Sequence, residues 1–314
     1  MNRMHDLILG TLYGVAVGDA LGAPLEFMRQ GSIRQRHGTV RDMIGGGWLG
    51  VEPGEVTDDT QMTLCVANGI ISQPEDPISA IGQNFIRWYE SQPKDIGTTC
   101  ARAIHWASRS AVSECGPTAS DWESAARRVH QSLNGRSAGN GSLMRTAYVG
   151  LYYTDADDVV NWARQISSMT HFDSRAGNAC AAYSAAIHSL LTSDSGPDDG
   201  RSTLIPNMAT MYGGAQYAPS ALSGDSFAPN PSGFVEDSFQ AALHCIYTTT
   251  TFEDAVVKAV NLGGDADTVG AITGGLAGAL YGFDAIPTRW KRIQNGTARQ
   301  IEEAADAALR AWDH

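Results

Sequence analysis

The stretch Thr268-Val269-Gly270-Ala271-Ile272-Thr273-Gly274-Gly275-Leu276-Ala277-Gly278-Ala279-Leu280-Tyr281 decides how the chain folds. It carries no charge, yet it falls short of the ~20 apolar residues a membrane-spanning helix needs, and Asp265 and Asp267 stand at its start. Gly270, Gly274 and Gly278 recur at every fourth position and so share one helix face. Each costs about 1 kcal/mol of helix propensity relative to alanine, which makes sense where a second backbone comes close. The stretch is expected to be a buried helix at the centre of the core.

Outward from it, the chain reads as helix after helix. Apolar residues at helical spacing recur in Leu7 to Ala20, Met62 to Ile71, Ile78 to Tyr89, Cys100 to Ala107, Trp122 to Leu133 and Leu143 to Tyr152. They continue in Val159 to Ile166, Ala176 to Leu191, Phe234 to Tyr247, Ala255 to Val260 and Ile301 to Trp312. Sustained period-two strands are absent. Turn signals such as Asn134-Gly135, Gly139-Asn140-Gly141, Ser195-Gly196-Pro197 and Ala228-Pro229-Asn230-Pro231 punctuate the runs. The expectation is an all-α, compact multi-helix bundle, one domain over residues 1–314. Residues 193–232, rich in Gly, Pro, Ser, Asp and Asn, are expected to form a long loop or a lid over a site.

Composition narrows the function. The 314 residues are 43% hydrophobic, enough for a large core, and carry a net charge of −12. With a pI near 5.0 and no basic stripe, the chain is not expected to bind nucleic acid. The five cysteines, Cys65, Cys100, Cys115, Cys180 and Cys245, are odd in number, scattered and without CxxC spacing, as reduced thiols of a cytosolic protein would be. Residues Met1 to Leu7 lack a signal-peptide core. A cytoplasmic protein, monomeric and without a membrane partner, is expected.

Immediately before the glycine-rich helix lies an acidic knot, Gly263-Gly264-Asp265-Ala266-Asp267-Thr268-Val269-Gly270. A second, Glu55-Val56-Thr57-Asp58-Asp59-Thr60-Gln61, opens the run that starts at Met62. Threonine and aspartate at a helix start also cap free N–H groups and oppose the helix dipole, so either knot alone reads as a cap. As a pair they read differently. Their like charges repel unless solvated, protonated or neutralised by a cation, and no Lys or Arg stands near them. The all-oxygen donor set suits Mg²⁺ or Mn²⁺; without His or Cys it is a poor zinc site. Several ligands with few other neutralising charges also allow two ions, which could clamp a substrate or activate water.

These knots belong to an ordered set of motifs. It begins with Gly14-Val15-Ala16-Val17-Gly18-Asp19-Ala20-Leu21-Gly22 and Glu26, then Thr57-Asp58-Asp59-Thr60 and Pro93-Lys94-Asp95-Ile96-Gly97-Thr98-Thr99. It continues with Gly139-Asn140-Gly141-Ser142-Leu143-Met144-Arg145, Thr170-His171, Gly233-Phe234-Val235 with Ala241-Ala242-Leu243, and the knot from Gly263 to Gly270. In this set the chain resembles the ADP-ribosylglycohydrolases, over about residues 7 to 285. The resemblance implies an all-α enzyme with a dinuclear Mg²⁺ or Mn²⁺ centre that removes ADP-ribose from modified protein side chains. It implies Thr57, Asp58, Asp59, Asp265, Asp267 and Thr268 as metal ligands that hold the distal ribose, and Glu26 and Asp95 as the carboxylates of acid–base catalysis.

The same likeness gives the remaining residues a ligand. Gly139-Asn140-Gly141-Ser142 runs into the apolar residues Leu143 and Met144, placing glycine backbone at a helix start where N–H groups would meet a diphosphate. Gly97 and Thr98 would supply a second such turn, and His171 would contact the ligand. Without the likeness, these loops would simply turn the chain, and His171 would be a capping or core residue. Tyr212, Tyr217 and Phe172 could stack on adenine or pack the interior. The expected function is a metal-dependent hydrolase acting on ADP-ribosylated protein, with arginine the foremost acceptor. A non-catalytic ADP-ribose receptor and a metal-dependent nucleotide phosphoesterase are the alternatives.

Overall fold

The computed structural model describes residues 2–110, 116–224 and 226–313; Cys115, counted above among the thiols, lies outside them. The fold is all-α, and β pairing among the described residues is confined to three isolated bridges. The principal helices are α1 (Arg3–Gly22), α2 (Gln30–His37), α3 (Asp58–Ser72), α4 (Ile78–Glu90), α5 (Thr98–Ser110), α6 (Ala119–Ser132) and α7 (Ala147–Tyr152). They continue as α8 (Ala156–Ser168), α9 (Ser174–Thr192), α10 (Ile205–Gly213), α11 (Val235–Tyr247), α12 (Phe252–Val260), α13 (Ala266–Tyr281) and α14 (Asn295–Trp312).

The centre is the antiparallel pair α1 and α13, and glycine on both sides makes it. A β-carbon on Gly14 would fall 2.1 Å from Gly274 O, one on Gly18 2.0 Å from Gly270 O, and one on Gly278 2.0 Å from Gly10 O. Main chain therefore lies on main chain, with no room for a methyl group. The stripe read from Gly270, Gly274 and Gly278 meets a second four-residue stripe, Gly10, Gly14, Gly18 and Gly22. All of α1 from Leu7 to Gly22 and all of α13 from Ala266 to Leu280 are buried. By length and composition α1 could cross a membrane, yet that stretch is wholly covered by the rest of the protein.

Two expected elements come out differently. The run Leu143 to Tyr152 is split into a 3₁₀ turn, Leu143–Arg145, and the short helix α7. At the junction Thr146 (φ −93, ψ 3) leaves helical geometry while the fully buried Arg145 spends its guanidinium on backbone carbonyls of other segments. Residues 193–232 are not a continuous loop. They carry α10, which packs on α9, with Ile205 and Ala209 buried and Met208 and Tyr212 against Val160, Ala181 and Ala185. Positions 205, 208, 209 and 212 follow helical periodicity, which the Gly, Pro and Ser content around them obscures.

Candidate active site

The central pair also builds the site. Because α1 and α13 are antiparallel, the end of α1 lies beside the start of α13: a β-carbon on Gly22 would touch Ala266 O at 2.3 Å. Beyond α1 the chain zips onto the loop before α13. Phe27 N–H donates to Gly264 O at 2.6 Å, Gly264 N–H donates to Met28 O at 2.8 Å, and Arg29 bridges Gly263. This pairing carries Glu26 to the second acidic knot.

The first knot is hung on α1 by Asp19. Its fully buried carboxylate accepts from Thr57 N–H (2.9 Å), Thr57 Oγ1 (2.8 Å), Thr60 N–H (3.1 Å) and Thr60 Oγ1 (2.5 Å). An aspartate from another helix thus caps α3, and Thr57, at the N-cap position, makes no side-chain cap of its own. Asp265, at the N-cap position of α13, makes none either. With α3 capped from α1 and no cap bond made by Asp265, neither Asp58 nor Asp265 is committed to capping, and both face the cavity.

They converge on a cavity of about 530 Å³. Glu26, Asp58, Asp95, Asp265 and Asp267 line it, with no Lys or Arg among the lining residues. Carboxylate oxygens of Glu26, Asp95 and Asp267 lie within 4.8 Å of one another. Asp59 sits one layer behind, its Oδ2 accepting from Thr268 Oγ1 at 3.4 Å and its buried Oδ1 without any hydrogen-bond partner. Burial, then the neighbouring carboxylates, pushes Asp58, Asp59 and Asp267 well above the usual range. Burial likewise lifts Asp19 to about 6 against its four hydrogen bonds. Glu26 rises to about 7 through burial, although the Trp48 indole opposes it and Asp95 adds to it. Asp95 is raised by burial, opposed by its bond from Ile96 N–H. An orphaned carboxylate oxygen among crowded carboxylates is what a hard divalent cation would complete. The donor set fits Mg²⁺ or Mn²⁺.

A family model for ADP-ribosylglycohydrolase matches residues 1–314. The chain belongs to the ADP-ribosylglycohydrolase family. It is 33% identical over 308 residues to ADP-ribosyl-[dinitrogen reductase] glycohydrolase of Rhodospirillum rubrum, covering 98% of this chain and 96% of that one. To ADP-ribosylarginine hydrolase Tri1 of Pseudomonas putida (strain GB-1) it is 31% identical, over 91% of this chain and 73% of the relative. A solved structure described as an ADP-ribosylglycohydrolase-related protein complex superposes with a TM-score of 0.79 at 31% identity, covering 99% of each chain.

In this ADP-ribosylglycohydrolase the expected residues separate into layers. Asp58, Asp265, Asp267 and Thr268 line the cavity with Glu26 and Asp95, as do Gly97, Thr98, Asn140, Gly141, Met144 and His171. Thr57 and Asp59 stand behind that wall. The Thr57 O–H is spent on Asp19, which leaves the oxygen's lone pairs for a cation. Ser142 and Leu143, expected at the ligand, are wholly buried instead, and Ser142 is hydrogen-bonded to Ser167 at 2.9 Å. They follow the loop into the 3₁₀ turn, so their side chains turn inward. Tyr212, Tyr217 and Phe172 do not line the cavity. Asn140, at the cavity wall, also holds a carboxylate: its amide donates to Asp265 Oδ2 at 2.6 Å and Ser238 Oγ at 2.8 Å.

His171 presents its Nε2 edge to Gly139 and Gly141, while Nδ1 meets Thr170 Oγ1 at 2.7 Å. Burial, then Arg145, drives its pKa down to about 3. The imidazole is therefore neutral at physiological pH. Arg145 itself donates to Gly141 O (3.1 Å), Ile166 O (3.1 Å) and Thr170 Oγ1 (2.9 Å), bracing the glycine loop from inside.

Sequence reasoning quoted Asp19 and Arg145 within motifs without giving them a role, and it missed Phe27 and Trp48. Asp19 had a visible signal, an acid inside an apolar helix, where burial demands a partner. Trp48 followed only Gly45-Gly46-Gly47, which marks a special backbone without saying what it approaches.

Proposed function

We propose that this protein is a divalent-cation-dependent hydrolase that releases ADP-ribose from an ADP-ribosylated arginine side chain. The observation that carries the reading is the buried carboxylate cluster around the unpartnered Asp59 Oδ1, set at the wall of a cavity large enough for a nucleotide-sized ligand. The relative named ADP-ribosylarginine hydrolase supports arginine as the acceptor. Thr57, Asp58, Asp59, Asp265, Asp267 and Thr268 would hold Mg²⁺ or Mn²⁺, and the donor count suits two ions. When bound, the cations supply Lewis acidity to ribose hydroxyls and to an attacking water.

The chain's own residues do the rest. The Asn140 N–H is taken by Gly233 O, so Gly139 and Gly141 in that loop, with the Gly97–Thr98 turn, would offer backbone N–H groups to a diphosphate, and no cationic side chain is among the described lining residues. Neutral His171 adds an uncharged polar group to that wall. Asn140 fixes Asp265, and Asp19 fixes the start of α3. Water adds to the anomeric carbon of the ribose, the bond from that carbon to the guanidine nitrogen breaks, and the water's proton ends on the departing group. Glu26 and Asp95 would move that proton, a role supported by their closeness at the wall and their raised pKa.

The test is incubation with Mn²⁺ or Mg²⁺ and peptides carrying ADP-ribose on arginine or serine. Release of intact ADP-ribose, fastest from arginine and abolished by chelation, is expected. Binding of ADP-ribose without release would make the protein a receptor, and release of AMP or phosphate would make it a phosphoesterase.

A further inference from the structure

Two aromatic rings stand in water at the mouth of the cavity. Phe27 is 70% exposed and Trp48 55% exposed, among the few large apolar side chains left open on the protein. They lean on each other, with ring centroids 5.4 Å apart and planes tilted by 38°, and both line the cavity. Packing does not explain their position, since each forgoes most of the burial it could have.

The backbone is specialised to put them there. Phe27 has φ 60, in the left-handed region that costs a residue with a side chain ~1–3 kcal/mol, and its N–H bond to Gly264 O holds it there. Trp48 follows three glycines with φ 64, 89 and 70. Gly47 also lies so close to Pro24 that a β-carbon would fall 2.7 Å from Pro24 Cα. Strain of this kind persists where the position has a use.

The chemistry around the rings says what they would take. The Trp48 indole N–H donates to Glu26 Oε2 at 2.6 Å, so the ring edge is anchored to a carboxylate while much of the ring stays exposed. Glu26 and Asp95 put two carboxyl groups close together on this side of the cavity. Aromatic faces beside carboxylates suit a flat cation, and guanidinium stacks on indole better than ammonium does. Adenine would gain nothing from the carboxylates.

We propose that Trp48 and Phe27 form the subsite that stacks the guanidinium of the modified arginine. The proposal rests on the reading of the site as an ADP-ribosyl-arginine hydrolase. It makes the Gly45–Trp48 turn a specificity element for a cationic leaving group.

The test uses the Mn²⁺-loaded full chain with Trp48→Ala and Trp48→Phe. KM and kcat are measured on arginine- and serine-linked ADP-ribosyl peptides, and ADP-ribose binding by calorimetry. Trp48→Ala is expected to raise KM for the arginine peptide about tenfold, the equivalent of ~1.4 kcal/mol of cation–π attraction. Its ADP-ribose affinity stays at the wild-type value, and its KM for the serine peptide changes less than that for the arginine peptide. Trp48→Phe keeps the arginine KM near wild type, because it loses the bond to Glu26 but keeps an aromatic face. An arginine KM unmoved by Trp48→Ala, or an equal loss of ADP-ribose affinity, overturns the proposal.

A second arm needs no turnover: quenching of tryptophan fluorescence by ethylguanidinium in the presence of ADP-ribose, expected in wild type and absent from Trp48→Ala. Quenching through Trp48 in a protein that releases no ADP-ribose would refute the activity and leave the subsite standing. Release from arginine that is indifferent to Trp48 would refute the subsite and leave the activity standing.

Discussion

Replacing Asp59 by asparagine should stabilise the metal-free protein and destabilise the loaded one. In the metal-free chain Asp59 is buried, its Oδ1 has no partner, and after burial Asp19 and Asp58 are the largest contributors to its raised pKa. Its folded-state pKa is raised, so the folded state binds the proton more tightly than the unfolded chain. The cost of ionising it is absent below the unfolded pKa of ~3.9, grows as pH rises and levels off above the folded pKa. Asparagine has nearly the same shape and never ionises. An uncompensated buried charge costs about 3 kcal/mol. A chain of 314 residues has an unfolding entropy of roughly 0.66 kcal/mol/K, so that cost shifts Tm by about 4–5 °C. Calorimetric melts of wild type and Asp59→Asn, with chelator and with Mn²⁺, at pH 4.5 and pH 8, read it out. The expected pattern is a higher Tm for the variant only in chelator at pH 8, little difference at pH 4.5, and a lower Tm than wild type with Mn²⁺. A variant less stable than wild type under every condition would refute the reasoning, since Asp59 would then be an ordinary buried hydrogen-bonding group.

Three further outcomes follow from the same contacts. Gly14→Ala puts a methyl group 2.1 Å from Gly274 O; overpacking of ~1–3 kcal/mol outweighs the ~1 kcal/mol gained in helix propensity. Its chemical denaturation midpoint should fall, and a wild-type midpoint would mean the α1–α13 contact is looser than described. Asp19→Ala strips the start of α3 of its acceptors and should cost ~1–3 kcal/mol, with metal affinity weakened in calorimetric titration; unchanged affinity would separate Asp19 from the cation site. Asn140→Ala frees Asp265, so metal affinity should drop about 10–100-fold while the far-ultraviolet circular dichroism stays that of the wild type.

Much of this was legible because it is written locally. The Gly270, Gly274 and Gly278 stripe announced a backbone-to-backbone contact, and two acidic knots without neutralising lysine or arginine announced a cluster of carboxylates. What the residues could not say was the partner. The matching stripe Gly10, Gly14, Gly18 and Gly22 lies more than two hundred residues away, and only the tertiary pairing reveals that the two belong together. Asp19 illustrates the same limit, since nothing near it in sequence shows that it caps a helix at Thr57 and Thr60. In residues 193–232 composition masked periodicity: helix α10 draws its stability from α9 rather than from its own propensity, which isolated residues do not display. Ser142 and Leu143 shared a motif with true wall residues, yet a single 3₁₀ turn rotated them inward.

Metal-dependent release of ADP-ribose by wild type and by Asp267→Asn tests the reading of the site most directly. Both proteins are stripped with chelator, reconstituted with Mn²⁺ and given an arginine-linked ADP-ribosyl peptide, with folding checked by circular dichroism. Release by the reconstituted wild type, none by the stripped wild type and none by folded Asp267→Asn is the predicted result. Equal release by the stripped and reconstituted wild type, or wild-type release by Asp267→Asn, would contradict it.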